Sequence, residues 1–452
     1  MKNKFIVLAL AMAMVVSMLT GCGNSTTDNS SSTPAESSKT EESSKAEESV
    51  AQESSAAEES VAQESSAEAG APAGEGTEIK IWVAENVTNL TQEYCDKFFA
   101  ENPDYAGYYV TIEAVGEDKS SGNMITDVEA GADIYGFPQD ATAKLVAAGA
   151  LAPITDDYAT EIAENNDEGS LTAAKVGDTI YAFPYTSDNG YFLYYDKSVV
   201  TDPSTLEGIL AACEAAGKSF YFQINSGWYD VAFFFGAGAT CTYTTDSEGN
   251  FVECNCDYGT KGLAGLKGMI QMASSSAFVA GSSVSDATNC AAIVDGTWDS
   301  GAAQDLFGEN YACAKLPTFN VDGTDYQMGG FSGNKLMGIK PQTDADKFNV
   351  CKALASYLTS EEVQLARFEL VGWGPSNKAA QASEAVQANE ALAALAEQMA
   401  YNVPQGQYPD NYWSITEALG NSIVADEFDG LSDEDLTAYL ATLQADLEAL
   451  AQ

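Results

Sequence analysis

The stretch that decides the fold is TIYAFPYTSDNGYFLYYDKSVV, residues 179–200. Its first half reads as a strand ending at Pro184, because proline lacks the N–H that a central ladder needs. Tyr191 to Tyr195 is short and aromatic, the pattern of a buried strand. Between them Asp188-Asn189-Gly190 marks a chain that changes direction. A carboxylate at the joint between two strands, flanked by Tyr181, Phe183, Tyr185 and Tyr191, suits a polar anchor among aromatic faces. An ordinary strand–turn–strand carries the same local signature. We read the stretch as the hinge of a two-lobed binding protein, with Asp188 as a ligand contact.

Upstream of it the pattern alternates strand and helix. Strands are expected at 78–84, 108–114 and 133–137, with helices at 90–100, 123–130 and 141–148, the last capped by Asp140. This order argues for a parallel or mixed sheet with helices on its faces, whose ligands sit at the carboxyl ends of the strands. Phe137, Asp140, Glu85 and Asn86 fall there. Downstream a second alternating half follows, with strands expected at 219–224, 291–294, 314–317 and 335–339. Helices are expected at 203–216, 258–272, 344–358 and 360–370, and they dominate from there to the end.

Composition narrows the chemistry. The 452 residues suit two domains once the ends are trimmed, and 45 % hydrophobic content can fill sizeable cores. Net charge is −47, from 67 acids against 20 bases, which argues against nucleic acid and anionic membrane patches as partners. Arg367 is the single arginine, so bidentate guanidinium recognition is available at one position. Histidine is absent, which removes imidazole metal ligands and Ser–His or Cys–His pairs. No cofactor or metal is expected. An uncharged ligand, or an enzyme working through carboxylates alone, is what remains easy to build.

The N-terminal end has its own logic. Lys2 and Lys4, an apolar run over 5–19 and small residues describe a secretory signal peptide over 1–22. The run is short of the ~20 apolar residues that a membrane span needs. Leu19-Thr20-Gly21-Cys22 resembles the bacterial lipobox, which implies cleavage before Cys22 and a lipid on it. The protein is then expected at the extracellular face of the cytoplasmic membrane. Residues 23–76 are Ser, Glu, Ala and Thr, with AEESVAQESSA at 46–56 repeated at 57–67. They read as a disordered, self-repelling tether.

Trp228, Trp298 and Trp413 each follow a loop signal, as does Phe137. A pyranose offers a C–H face that stacks on aromatic rings and a rim of hydroxyls that needs carboxylates and amides. Any one tryptophan is more often core; three at loop starts point to sugar.

From here the chain resembles the family 1 extracellular solute-binding proteins of ABC importers, in particular the maltodextrin-binding group. The resemblance runs in order along about 78–452. EIKIW (78–82) is similar to the opening strand, and ADIYGFPQDATAKLVAAGAL (132–151) carries the family's platform and sugar-binding aspartate on Phe137 and Asp140. IYAFPYTSDNGYFLYYDK (180–197) is the hinge, with Asp188 at the acidic ligand residue. FQINSGWY (222–229), DGTW (295–298) and VPQGQYPDNYW (403–413) place Trp228, Trp298 and Trp413 at stacking positions. GWGPSNKAA (372–380) resembles the loop before a later recrossing. Ala141, Val87 and Ser226 depart from the family's arginine, lysine and glutamate. The resemblance implies an α/β clamshell of periplasmic-binding-protein type, each lobe a mixed sheet flanked by helices, with three hinge crossings. It places one lobe at 78–186 plus 328–382 and the other at 187–327 plus 383–452.

The implied function is capture of maltooligosaccharides between the lobes and delivery to a membrane permease, by a monomer. The site is expected to be Phe137, Asp140, Asp188, Trp228, Trp298 and Trp413, with Glu85 or Asn86 taking hydroxyls. The alternatives are another neutral oligosaccharide, a secreted glycosidase built on paired carboxylates, or an adhesin without saturable affinity for a free glycan. Besides Cys22 there are eight cysteines. Cys95, Cys213 and Cys351 fit helices as small buried residues, and Cys241 with Cys254 or Cys256 could bridge a hairpin. Cys254-Asn255-Cys256 lacks zinc-site spacing.

Overall fold

Gly190 separates two strands that belong to different sheets. The structure is a computed structural model that describes residues 76–246, 250–281, 284 and 287–451. The expected signal segment, Cys22 and the tether up to residue 75 lie outside the described residues. In the first sheet Thr77–Val83 runs parallel to both Tyr108–Ala114 and Ile134–Pro138. Phe331–Ile339 is antiparallel to Ile134–Pro138 and to Ala182–Asn189, and the short Val403–Pro404 pairs with its start. In the second sheet Phe278–Val279, Ser219–Phe222 and Cys290–Gly296 are parallel, and Tyr191–Asp196 and Tyr311–Ala314 complete it antiparallel.

The expected mixed α/β architecture with two lobes is therefore what the chain adopts. Cys290–Gly296 is buried at every position, as a central strand covered on both faces must be. Alternation in Thr77–Val83 sends Ile79, Ile81 and Val83 into the first core, with Ile134, Leu336 and Leu354. Phe192, Tyr194, Tyr221 and Ile293 anchor the second. The chain leaves the first sheet at Gly190 and re-enters it with Phe331–Ile339. It has crossed again by Glu390–Gln398, whose Ala391, Ala394 and Leu395 join the second core.

Local signals place several ends. Thr205 caps Leu206–Ala216, accepting from the Gly208 N–H at 3.2 Å, and Gly217 ends it at φ 63°. Asp344 caps Ala345–Leu358. Tyr108–Ala114 spans the expected residues.

Other expectations need correction. Pro184 does not end its strand; Ala182–Asn189 runs through it. The strand pairs on one side only, and its register shifts beside Pro184, so no ladder hydrogen bond is lost. The helix expected at 123–130 begins earlier, as Glu117–Thr126, because Glu117 and Asp118 suit a first turn. Asp140 caps no helix: a tight turn at Gln139–Ala141 precedes Thr142–Ala147, whose start has no side-chain cap. The strand expected at 314–317 is Tyr311–Ala314, since Pro317 cannot extend the ladder.

The single arginine is spent inside the first lobe. Arg367 lies 3.7 Å from the centre of the Tyr185 ring and donates to the Leu358 carbonyl at 2.8 Å and the Tyr185 carbonyl at 3.3 Å. Burial lowers its pKa. Cys95, Cys213 and Cys351 are buried free thiols on helices.

Candidate functional site

The expected residues come together around the two strand ends that Gly190 joins, with exceptions. Asp188 is the centre. It is 3 % exposed at the end of Ala182–Asn189. Its Oδ2 accepts from the Thr297 hydroxyl and, at 2.6 Å, from the Gly374 N–H. Its Oδ1 is buried with no hydrogen-bond partner. Thr297 belongs to the second lobe's DGTW turn and Gly374 to the GWGP loop, so one carboxylate ties both to the hinge. A Cβ on Gly374 would sit 2.8 Å from that of Asp188, which is why the loop can approach.

Trp298 and Trp228 meet with their rings tilted by 52°, ring centres 5.8 Å apart. Both are half-buried. The Trp298 ring folds back over Gly296, where an added Cβ would lie 2.1 Å from it. Trp228 Nε1 donates to Gln405 Oε1 at 3.1 Å, and its ring packs on Tyr191 at 4.8 Å. Trp413 stands next to this pair, its carbonyl within 3.3 Å of where a Gly227 Cβ would be. Its ring packs on Tyr408 and Tyr412 at 5.3 and 4.9 Å.

Asp140 lies on the Gln139–Ala141 turn of the first lobe and is 5 % exposed. Burial pushes its carboxyl up to about 6, opposed by Lys144 and helped by Asp410. Its Oδ1 has no partner. The neighbouring Gln139 donates to the Gln405 carbonyl and accepts from Asn334 at 2.7 Å. The Gln407 amide donates to the Gln139 carbonyl at 2.8 Å. The turn-rich segment that leads to Trp413 is thus fastened to the Asp140 turn.

Three expected residues do not take part in this way. Phe137 is fully buried in the first core, 5.6 Å from Tyr135 and paired in register with Leu336. It lies inside the strand rather than after it, with its ring enclosed in the core and out of a ligand's reach. Glu85 and Asn86 are exposed on the turn after Thr77–Val83, at the expected end of the sheet.

Sequence reasoning missed Lys335 and Trp373. Lys335 Nζ lies 4.1 Å from the Trp373 ring centre and 5.2 Å from that of Trp298, and 3.9 Å from Glu117. It projects from a strand of the first sheet towards a tryptophan of the second lobe, a cation–π bridge between them. A lone lysine in an apolar strand gave no signal. Asp295 was also overlooked. Tyr229 Oη donates to its Oδ1 at 2.7 Å, and burial next to Asp299 pushes it up to about 8. Among the described residues no cluster of three or more His, Cys, Asp or Glu could hold a metal ion.

An extended carboxylate-and-tryptophan surface at the junction of two lobes is a binding geometry. The model of the bacterial extracellular solute-binding proteins matches residues 93–394. The chain belongs to that family. It is a binding protein and not an enzyme, which removes the glycosidase reading. No curated protein matches this solute-binding protein. Among solved structures, one with acarbose is 26 % identical, with TM-score 0.71, covering 83 % of this chain and 100 % of that chain. The maltodextrin-binding protein MalE1 from L. casei BL23 is 21 % identical, TM-score 0.68, covering 82 % and 99 %. MalX from Streptococcus pneumoniae, solved with maltopentaose, is 16 % identical, TM-score 0.66, covering 81 % and 99 %.

Proposed function

We propose that this solute-binding protein captures maltooligosaccharides between its lobes and delivers them to the permease of an ABC importer. Its address would be the outer face of the cytoplasmic membrane, held by lipid on Cys22. The lobes would be 78–186 with 328–382 and 187–327 with 383–452. Trp228, Trp298 and Trp413 stack on successive glucose rings, and Asp140 and Asp188 take hydroxyls, with Glu85 or Asn86 at the rim. The observation that carries the reading is the pair of buried carboxylate oxygens, Asp140 Oδ1 and Asp188 Oδ1, left without partners, the second on the carboxylate that holds the turn bearing Trp298. A buried acceptor without a donor is costly, and a hydroxyl donor restores it.

Solved relatives with acarbose and with maltopentaose, and a maltodextrin-binding protein among them, support a glucan over other neutral glycans. Closure is a population shift, so the sugar must touch both lobes to favour the closed form. Titration calorimetry against maltotriose, maltopentaose, and xylo-, manno- and fructo-oligosaccharides tests this. Saturable binding of the malto-series alone is expected. Binding confined to another series would replace the ligand, and no binding of any would end the reading.

A further inference from the structure

Three cysteines share one hairpin that the sugar reading leaves unused. Cys241–Thr245 pairs antiparallel with Phe251–Cys256, and Cys256 stands directly opposite Cys241. Cys254, two residues earlier, projects from the same face as Cys256. The Cys241 and Cys254 sulfurs are 3.7 Å apart, and the Cys241 thiol also reaches Cys256. The two sulfurs are therefore already neighbours, which a bond of about 2.05 Å would draw closer. Cys241 and Cys256 are buried, whereas Cys254 is half-exposed and open to a reagent.

We propose that this hairpin is an oxidation site at which Cys254 and Cys241 form a disulfide, with Cys256 the replacement partner for Cys241. The expected oxidant is a low-molecular-weight disulfide outside the cell, the compartment in which such bonds persist. The Cys254 thiolate attacks one sulfur of that oxidant and releases its other half as a thiolate. Cys241 then attacks the Cys254 sulfur and expels the second half, which leaves as a thiol carrying the Cys241 proton. Two protein thiols are oxidised and one small disulfide is reduced to two thiols. The hydrogen bond with Cys241 holds the pKa of the Cys254 thiol below its ordinary value against the opposing effect of burial, which favours it as the first attacker.

The bond would fix the strand end that supports a site aromatic. Tyr408 donates to the Cys241 carbonyl at 2.7 Å, and its ring packs 5.3 Å from Trp413. Tyr243, on the same strand, donates to the Leu447 carbonyl at 2.8 Å and so ties the hairpin to the C-terminal helix.

The test is to incubate the reduced full chain with oxidised glutathione, block free thiols and digest it denatured with trypsin and a glutamate-specific protease. Cleavage after Glu253 separates Cys241 from the peptide that carries both Cys254 and Cys256, and fragmenting the linked peptides shows which of those two bears the blocking group and which the link. A Cys241–Cys254 link is expected, lost with reductant, along with a rise in melting temperature of about 2–4 °C. Cys254→Ser should move the link to Cys256, and Cys256→Ser should leave it in place. Recovery of all three cysteines unlinked in the wild-type chain, or a link from Cys241 to a cysteine outside the hairpin, would overturn the proposal.

Discussion

The two sides of the junction spend their aromatic residues in opposite ways. On the first-lobe side Tyr135 and Phe137 turn into the core, and the strand delivers a carboxylate, Asp140, just past its end. On the second-lobe side the strand Cys290–Gly296 ends first, and Trp298 follows on a turn where its ring stays half-exposed. The difference lies in whether an aromatic sits before or after the last paired residue. One residue inside the ladder it is packing; beyond it, it is free to meet a ligand.

That contrast can be broken most forcefully at Phe137. Phe137→Ala should cost about 3–5 kcal/mol of unfolding free energy in urea, as a large core deletion does. An unchanged midpoint would mean that Phe137 is not core after all. Trp298→Ala should instead leave the midpoint nearly unmoved and weaken maltotriose by about 1–3 kcal/mol, roughly 5–150-fold by calorimetry. Unaltered affinity in both Trp298→Ala and Trp413→Ala would remove the second-lobe side from the site.

Gly296→Ala sharpens the point without touching an aromatic. The added methyl would collide with the Trp298 ring and should displace it, weakening maltotriose about 3–10-fold. Full affinity there would show that the ring need not lie over the backbone.

The smallest effect is one of pH. Asp140 is raised to about 6 and Asp295 to about 8, both chiefly by burial. The folded state therefore binds more protons than the unfolded one above pH ~4, so stability falls as pH rises through these values. Thermal melts of the unliganded chain should show a falling midpoint from pH 4 to 8. Asp295→Asn should flatten the upper half of that fall, and a parallel curve would assign the slope to other groups.

Part of the candidate site was legible from local pattern. Trp228, Trp298 and Trp413 are a rare residue type at loop signals, whereas Asp140 and Asp188 were picked out by their place at strand ends. Lys335, Trp373 and Asp295 were not legible. Each lies next to its partners only because strands far apart in sequence run side by side, as when Phe331–Ile339 pairs with both Ile134–Pro138 and Ala182–Asn189.

The type and order of the strands and helices named from the sequence followed from it alone, because apolar periodicity and breakers such as Gly217 act within a few residues. The hinge at 188–190 did too, since a polar joint between two apolar strands is a local pattern. Tertiary structure alone decided which way each side chain faces and what it meets. Phe137 went to the core, Arg367 to the Tyr185 ring, and Lys335 to the space between two tryptophans, because burial and pairing are settled by contacts between distant segments.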